Sequence, residues 1–209
     1  LRHLEAGRRT FKFYTTYRDS GLYTSYERLS EIAGRLKESA RKTGCGDARI
    51  FVHAEDADVL AEARASTAPG KSLGAADHTR LRPPEAELKA VERVAGIAAA
   101  TGAWFHIVHV STPEAAEIIG QARFGARLTC ETAPHYLFLD DSRLQRADGH
   151  RWLCTPPLRD AARVVRMREM AAAALEHLPV RAALGPAPAP VLLLRDNIPV
   201  HELLRQTRD

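Results

Sequence analysis

The sequence has few cysteines and no long apolar run, and both absences limit its class. Its three cysteines, Cys45, Cys130 and Cys154, are odd in number, scattered, and form no Cys-x-x-Cys pair. This pattern argues against a disulfide framework and a structural zinc knuckle, and it favours reduced thiols in a cytoplasmic protein. No apolar run approaches the roughly 20 residues of a membrane helix. The N-terminus lacks the apolar stretch of a signal peptide. We therefore expect no membrane partner.

A concentration of charge is missing as well. The formal net charge of +4 is spread over 209 residues, and no Lys/Arg cluster is interleaved with aromatic residues. This distribution predicts that nucleic acid is not a partner. The chain does not begin with methionine, so a fragment or a processed form is expected.

What the sequence does contain is an alternation of short β-rich runs and longer helical patterns. The β-rich runs are 10–17, 48–55, 104–111, 126–139 and 180–185, and the helical patterns are 25–42, 84–101, 113–123 and 160–177. Such alternation predicts an α/β fold with right-handed crossovers and a parallel sheet. The segment 56–83 is interpreted as a long polar loop. Four of the residues in 186–199 are proline, which predicts an irregular tail.

Four residues in the predicted strands have unusual chemistry for a buried sheet. In WFHIVHVSTPE (104–114), strand alternation predicts that His106 and His109 point to opposite faces. His109 and His53 each come near the carboxyl end of a run, and Lys12 lies between aromatic residues. Imidazoles suit zinc and similar ions, whereas an unmodified lysine is a poor ligand. The pattern thus leaves two interpretations open, a metal site or hydrogen-bonded core histidines with a lysine at an edge.

Six segments in a fixed order carry a family resemblance. The segments FKFY, VHAED, RPPEAE, HIVHVST, ETAPHYL and PPLR occur between about Gly7 and Gly185. In this order they resemble the cyclic amidohydrolases, which include dihydroorotase, allantoinase and dihydropyrimidinase/hydantoinase. The resemblance implies a (β/α)8 TIM-type barrel with a metal centre at the carboxyl ends of its parallel strands. It also implies hydrolysis of a cyclic amide C–N bond.

The resemblance also implies a set of site residues. Lys12 matches the lysine of barrel strand 4, which many members carry as an N-carboxylysine, and a carbamate would turn this cation into an oxygen ligand. His53 and His109 match the metal ligands of strands 5 and 6, and His106 matches no ligand. Thr155 and Pro156 match a substrate-binding segment. At most one Zn²⁺ ion is expected, held by Lys12, His53 and His109.

Two departures from the family pattern lower the expected activity. The chain has no His-x-His pair, and Ala187 stands where the family has its strand-8 aspartate, the expected general base. We therefore expect strands 4–8 of the barrel only, with a partial barrel domain at 1–185 and a tail at 186–209. Hydrolysis by this chain alone should be impaired, and a non-catalytic scaffold is the alternative. Its open edges predict an oligomer or a completing chain segment.

The substrate is only partly specified by the sequence. The resemblance is strongest to dihydroorotase-like and allantoinase-like members, and it implies a small cyclic amide or ureide. Dihydroorotases often have asparagine before Pro-Pro-Leu-Arg, and here the residue is Thr155. Dihydroorotate is the first expectation, and this departure keeps allantoin or a hydantoin/dihydropyrimidine open as the alternative.

Overall fold

The computed structural model describes residues 2–44, 46–68 and 70–177. The strands are β1 (Thr10–Tyr14), β2 (Arg49–His53), β3 (Trp104–Ile107) and β4 (Leu128–Cys130). The helices are α1 (Arg2–Glu5), α2 (Tyr26–Thr43), α3 (Ala57–Ala65), α4 (His78–Leu81), α5 (Pro84–Thr101), α6 (Pro113–Ala122), α7 (Pro134–Phe138) and α8 (Ala161–His177). Short 3-10 turns cover Arg18–Ser20, Ala75–Asp77, Asp141–Gln145 and Gly149–Trp152.

The four strands form one parallel sheet in the order β1-β2-β3-β4. Helices α2, α5 and α6 make the crossovers between successive strands, as parallel pairing requires. The predicted α/β fold with parallel strands is confirmed. Because parallel strands run in the same direction, the ends of β1, β2 and β3 lie at one edge of the sheet, where sites gather in such folds.

The two faces of the sheet differ in character. Ile50 and Val52 of β2 and Phe105 and Ile107 of β3 are buried in the main core against the helices. Residues of the opposite parity form the other face, where Lys12 pairs in register with Phe51, and Phe51 with His106. Lys12 is exposed and Phe51 is half-buried. The polar groups that the sequence singled out therefore lie on the less covered face.

Helix α2 has well-defined ends that can be tested. The Ser25 hydroxyl accepts a hydrogen bond from the backbone N–H of Arg28 at 3.2 Å, and Gly44 ends the helix in the left-handed region at φ 63°. Replacing Ser25 with alanine should lower the free energy of unfolding by about 1 kcal/mol, because it leaves a helix N–H without its cap. Urea unfolding measures this loss. Ser30→Ala, inside the same helix, is the control, and an equal loss there would contradict the capping effect.

Two sequence predictions about local structure were wrong. Within the β-rich run 126–139 only Leu128–Cys130 is a strand, because Pro134 begins the short helix α7. The segment 56–83 is also not a plain loop. Asp56 caps the start of α3 through hydrogen bonds from Asp58 and Val59, and α4 follows.

Some predictions fall outside the described residues. These are the strand at 180–185, the position of Ala187 and the Pro-rich tail at 186–209. Among the described helices, none combines the length and apolar character that a membrane crossing requires.

Candidate metal centre

Two imidazoles converge at the carboxyl edge of the sheet. His53 is the last residue of β2 and is only 3% exposed, and His109 follows β3 by two residues. Nδ1 of His53 lies 3.1 Å from Nε2 of His109, and their ring centroids are 4.6 Å apart. The structure thus brings together two of the three predicted metal ligands, which are 56 positions apart in the chain.

The prediction that His106 and His109 face opposite sides was wrong. Strand β3 ends at Ile107, and the backbone of His109 is left-handed at φ 45°, so strand alternation does not extend to it. His106 shares the sheet face of Phe51, with ring centroids 4.7 Å apart. Its Nδ1 lies 2.8 Å from the Thr129 hydroxyl. Both histidines are therefore on the Lys12 side of the sheet, but only His109 meets His53.

A carboxylate behind His53 fixes the direction of that imidazole. Glu55 is fully buried, and its Oε2 lies 2.6 Å from Nε2 of His53. The Arg82 guanidinium donates to both carboxylate oxygens of Glu55. Burial by itself would raise the pKa of Glu55, but the hydrogen bonds from His53 and Arg82 lower it to about 2. An ionised carboxylate accepts hydrogen bonds, so the Nε2–H of His53 donates to Glu55 and the Nδ1 atom faces His109.

His109 is held in its neutral form. Burial is the main cause that lowers its pKa to about 3, and the nearby charges of His53 and Lys12 act in the same direction. A neutral imidazole is the form that binds a metal ion. Lys12 is thus an electrostatic neighbour of His109, and its Nζ lies 5.5 Å from the centre of the Tyr14 ring.

The donor set fits one tetrahedral ion. Two imidazole nitrogens bound to the same zinc ion, each about 2.0–2.1 Å from it, lie about 3.3 Å apart. The observed 3.1 Å between His53 and His109 is close to that separation. Within residues 2–44, 46–68 and 70–177, no group of three His, Cys, Asp or Glu side chains is arranged to hold a metal ion. The third predicted ligand is Lys12.

A cleft opens next to Tyr17 and Arg82, two neighbours of the imidazole site. Its volume is about 390 Å³, and its lining includes Tyr17, Arg18, Arg64 and Arg82, with Asp19 as a carboxylate. Arg82 is engaged by Glu55, and Arg18 pairs with Asp58 at 2.8 Å, so carboxylates balance most of the guanidinium charge at this cleft. Arg82 connects this cleft to the imidazole pair, because the same side chain binds Glu55.

Tyr17 is a site residue that sequence reasoning missed. Its ring centroid lies 5.3 Å from that of His53, and the Arg82 guanidinium lies 5.4 Å from it. Its backbone is left-handed at φ 66°, a conformation that is costly for a bulky residue and clusters at functional sites. Burial raises the pKa of Tyr17, so its hydroxyl stays protonated near neutral pH. The signal in the sequence that could have identified Tyr17 is an aromatic residue five positions after Lys12.

The structure places the two predicted substrate-binding residues differently. The Thr155 side chain is near enough to the Tyr17 hydroxyl to lower its pKa, which places it on the imidazole side of the site. The Pro156 carbonyl accepts a hydrogen bond from the Tyr136 hydroxyl at 2.6 Å. His78 holds the same segment, with its Nε2 2.8 Å from the carbonyl oxygen of Cys154.

Comparison with known proteins fits this geometry. No family model matches the chain. An allantoinase of Salmonella paratyphi B is 32% identical over 149 residues, which cover 71% of this chain and 32% of the relative. The crystal structure of dihydropyrimidinase from Brevibacillus agri superimposes with a TM-score of 0.68 at 31% identity, covering 76% of this chain and 33% of that one. A D-hydantoinase from Bacillus sp. AR9 gives a TM-score of 0.71 at 31% identity, covering 83% of this chain and 37% of that one.

The chain is a homologue of the cyclic amidohydrolases. Its solved neighbours are TIM-barrel hydantoinases, and its four consecutive parallel strands with helical crossovers correspond to part of such a barrel. The predicted family resemblance and the predicted partial barrel are both confirmed. This homologue spans about a third of the length of the allantoinases that it matches.

Proposed function

We propose that the chain contributes to metal-dependent hydrolysis of a cyclic amide C–N bond. The observation that carries the proposal is the approach of His53 Nδ1 to His109 Nε2 at 3.1 Å, with Glu55 fixing the direction of His53. A histidine that donates its second N–H to a carboxylate is the usual arrangement behind a metal ligand. The named homologues, allantoinase and hydantoinase/dihydropyrimidinase, act in the same chemical class.

Each residue of the site has a distinct part in this proposal. His53, His109 and a carboxylated Lys12 would hold one Zn²⁺ ion, and when bound that ion would polarise the amide carbonyl and activate water. Tyr17 lines the cleft and Thr155 lies next to its hydroxyl, so these two residues would orient the ring of the substrate. Glu55 is already engaged by Arg82 and His53, so its part is to position His53 rather than to move protons.

The choice of substrate rests on the sequence resemblance. The arginines of the cleft do not decide it, because Arg82 is paired with Glu55 and Arg18 with Asp58. We propose a dihydroorotase-like substrate, with allantoin or a hydantoin/dihydropyrimidine as the alternative.

Partners and rate are part of the same proposal. Strands β1 and β4 are the edges of the described sheet, so each has a side on which another strand can pair. We propose that an oligomer or a completing chain segment covers these edges. The expectations of a cytoplasmic location and of slow hydrolysis by this chain alone, with Ala187 in place of the aspartate, remain predictions.

An assay with purified protein tests the proposal. The chain is loaded with Zn²⁺ in bicarbonate buffer and given dihydroorotate, allantoin or hydantoin in parallel. We expect slow ring opening that a chelator abolishes, fastest with dihydroorotate. A carbamate carbon signal should also appear in ¹³C NMR with labelled bicarbonate, because Lys12 has become a ligand. Lys12→Met should lose both the signal and the turnover.

Two outcomes would count against this function. Zinc-independent ring opening, equal in the Lys12→Met variant and the unchanged chain, would contradict the assigned ligands. A chain that takes up no zinc and opens none of the three rings would instead support the scaffold interpretation.

A further inference from the structure

We propose that Arg159 is the positioning residue that sets the distance between the two imidazoles, acting on His109 through Ser111 and on His53 through Arg82. This inference rests on the proposed metal centre formed by His53 and His109. It concerns a residue that contacts neither imidazole in the described structure. Its support is two series of hydrogen bonds from one buried guanidinium, one reaching the chain two residues after His109 and the other reaching His53 through Arg82 and Glu55.

The burial of Arg159 is unusual for its chemistry. The residue is 1% exposed and is the largest fully buried side chain of the described residues. Arginine keeps its charge at any accessible pH, and a charge is removed from water only at a large cost unless hydrogen bonds and an opposite charge compensate. Nε donates to the Ser111 hydroxyl at 3.0 Å, and Nη1 donates to the Arg82 carbonyl at 2.7 Å.

The first branch leads to His109. Ser111 lies two residues after His109, and its hydroxyl connects Arg159 to the buried carboxylate of Glu87. Glu87 also accepts from the Ser111 backbone N–H at 2.8 Å and from the Thr112 hydroxyl at 2.6 Å. The chain just after His109 is therefore held at three points by Glu87. Such anchoring supports the left-handed backbone that turns His109 toward His53.

The second branch leads to His53. Arg159 fixes the backbone carbonyl of Arg82, and the side chain of that same residue holds both oxygens of Glu55. Glu55 in turn lies 2.6 Å from Nε2 of His53. The position of the His53 imidazole thus depends on the backbone that follows α4, which Arg159 ties down.

Arg159 takes part in both branches. It comes from the segment before α8, whereas His53 ends β2 and His109 follows β3, so it joins three separate parts of the chain. The fork of a guanidinium can serve two acceptors in different directions, and the point charge of a lysine lacks that geometry. A purely structural purpose would not need this chemistry, because a buried ion pair is often replaceable by apolar groups without loss of stability.

The test compares Arg159→Lys with the unchanged chain. Lysine keeps the charge but not the two directed donors, so we expect a folded protein whose zinc dissociation constant rises about 10–100-fold, the usual effect of losing support behind a ligand. Competition with a chromophoric chelator measures the constant. The visible spectrum of bound Co²⁺ should also change, because it reports ligand geometry, which a loss of stability alone would leave unaltered. Arg163→Lys, at a half-exposed arginine of α8, is the matched control.

A second variant protects the test against misfolding. Ser111→Ala removes one hydroxyl from the first branch and should reproduce part of the loss of zinc affinity. If the two changes act through the same branch, the double variant should lose less than the product of the single effects. Wild-type affinity and an unaltered Co²⁺ spectrum in both Arg159→Lys and Ser111→Ala would overturn the inference. Failure of the unchanged chain to bind zinc would instead overturn the proposed metal centre, so the two failures are distinguishable.

Discussion

Replacement of His109 with alanine is expected to weaken zinc binding by more than about a hundredfold. Residues that merely support a ligand change metal affinity about 10–100-fold, and the loss of a ligand itself should exceed that range. His109 Nε2 is one of only two imidazole nitrogens that converge in the described residues. Without it, His53 and Lys12 would have to hold the ion alone. Titration of the metal-free protein with Zn²⁺ measures the change.

His106 provides an internal control for this prediction. It is a histidine of the same segment and lies on the same sheet face, but its Nδ1 contacts the Thr129 hydroxyl. His106→Ala should therefore leave zinc affinity within about twofold of the unchanged chain, because its imidazole is not among the converging nitrogens. Equal losses of zinc affinity in the His106 and His109 variants would contradict the assigned site, because they would show that zinc does not distinguish between the two histidines.

The fold was largely predictable because its signals are local. The boundaries of α5 were predicted from helical periodicity, with Pro84 at the start of the helix and Gly102 just after its end. The predicted strands 10–17, 48–55 and 104–111 each contain an observed strand, although every run extended past the end of its strand. The predicted strands are too long because residues with high β propensity continue into the loops of the site. In those loops the backbone turns and no longer pairs with a neighbouring strand.

The same excess length explains the error about His106 and His109. Alternation predicts faces only where the strand continues, and the sequence carries no mark at Ile107 that would show its end. The left-handed backbone of His109 is a tertiary effect, which neighbouring contacts impose on a residue that has no intrinsic preference for it. The choice of His109 as ligand was made from the resemblance and from its place near the end of the run. The faces assigned by alternation were wrong.

The residues behind the imidazoles were the least predictable part of the site. Arg82 and Arg159 lie in the segments RPPEAE and PPLR, which carried the family resemblance but received no function from it. Their partners are 27 and 48 positions away in the chain, Glu55 for Arg82 and Ser111 for Arg159. Periodicity and spacing report contacts within one element, so a hydrogen bond between distant loops leaves no local trace.

Loss of the Arg82 side chain should strongly destabilise the metal-free protein. Arg82→Ala removes the guanidinium that serves both oxygens of Glu55, a carboxylate with no exposed surface. Breaking a buried ion pair from one side leaves an uncompensated charge, and we expect the free energy of unfolding to fall by about 3 kcal/mol. Burial opposes ionisation of Glu55, and its low pKa depends on hydrogen bonds from His53 and Arg82, so His53 alone would have to balance the charge.

Urea unfolding in the presence of a chelator measures this effect without any contribution from bound metal. The matched control is Arg80→Ala, which removes an arginine from α4, the short helix that ends just before Arg82. Arg80 pairs with Asp77 at the surface, where water screens the charges, so its loss should shift the unfolding midpoint little. If both variants unfolded at the midpoint of the unchanged chain, Glu55 would not need Arg82, and the support assigned to His53 would lose its basis. A large shift for Arg82→Ala alone would show that the side chains that orient the metal ligand also stabilise this edge of the sheet.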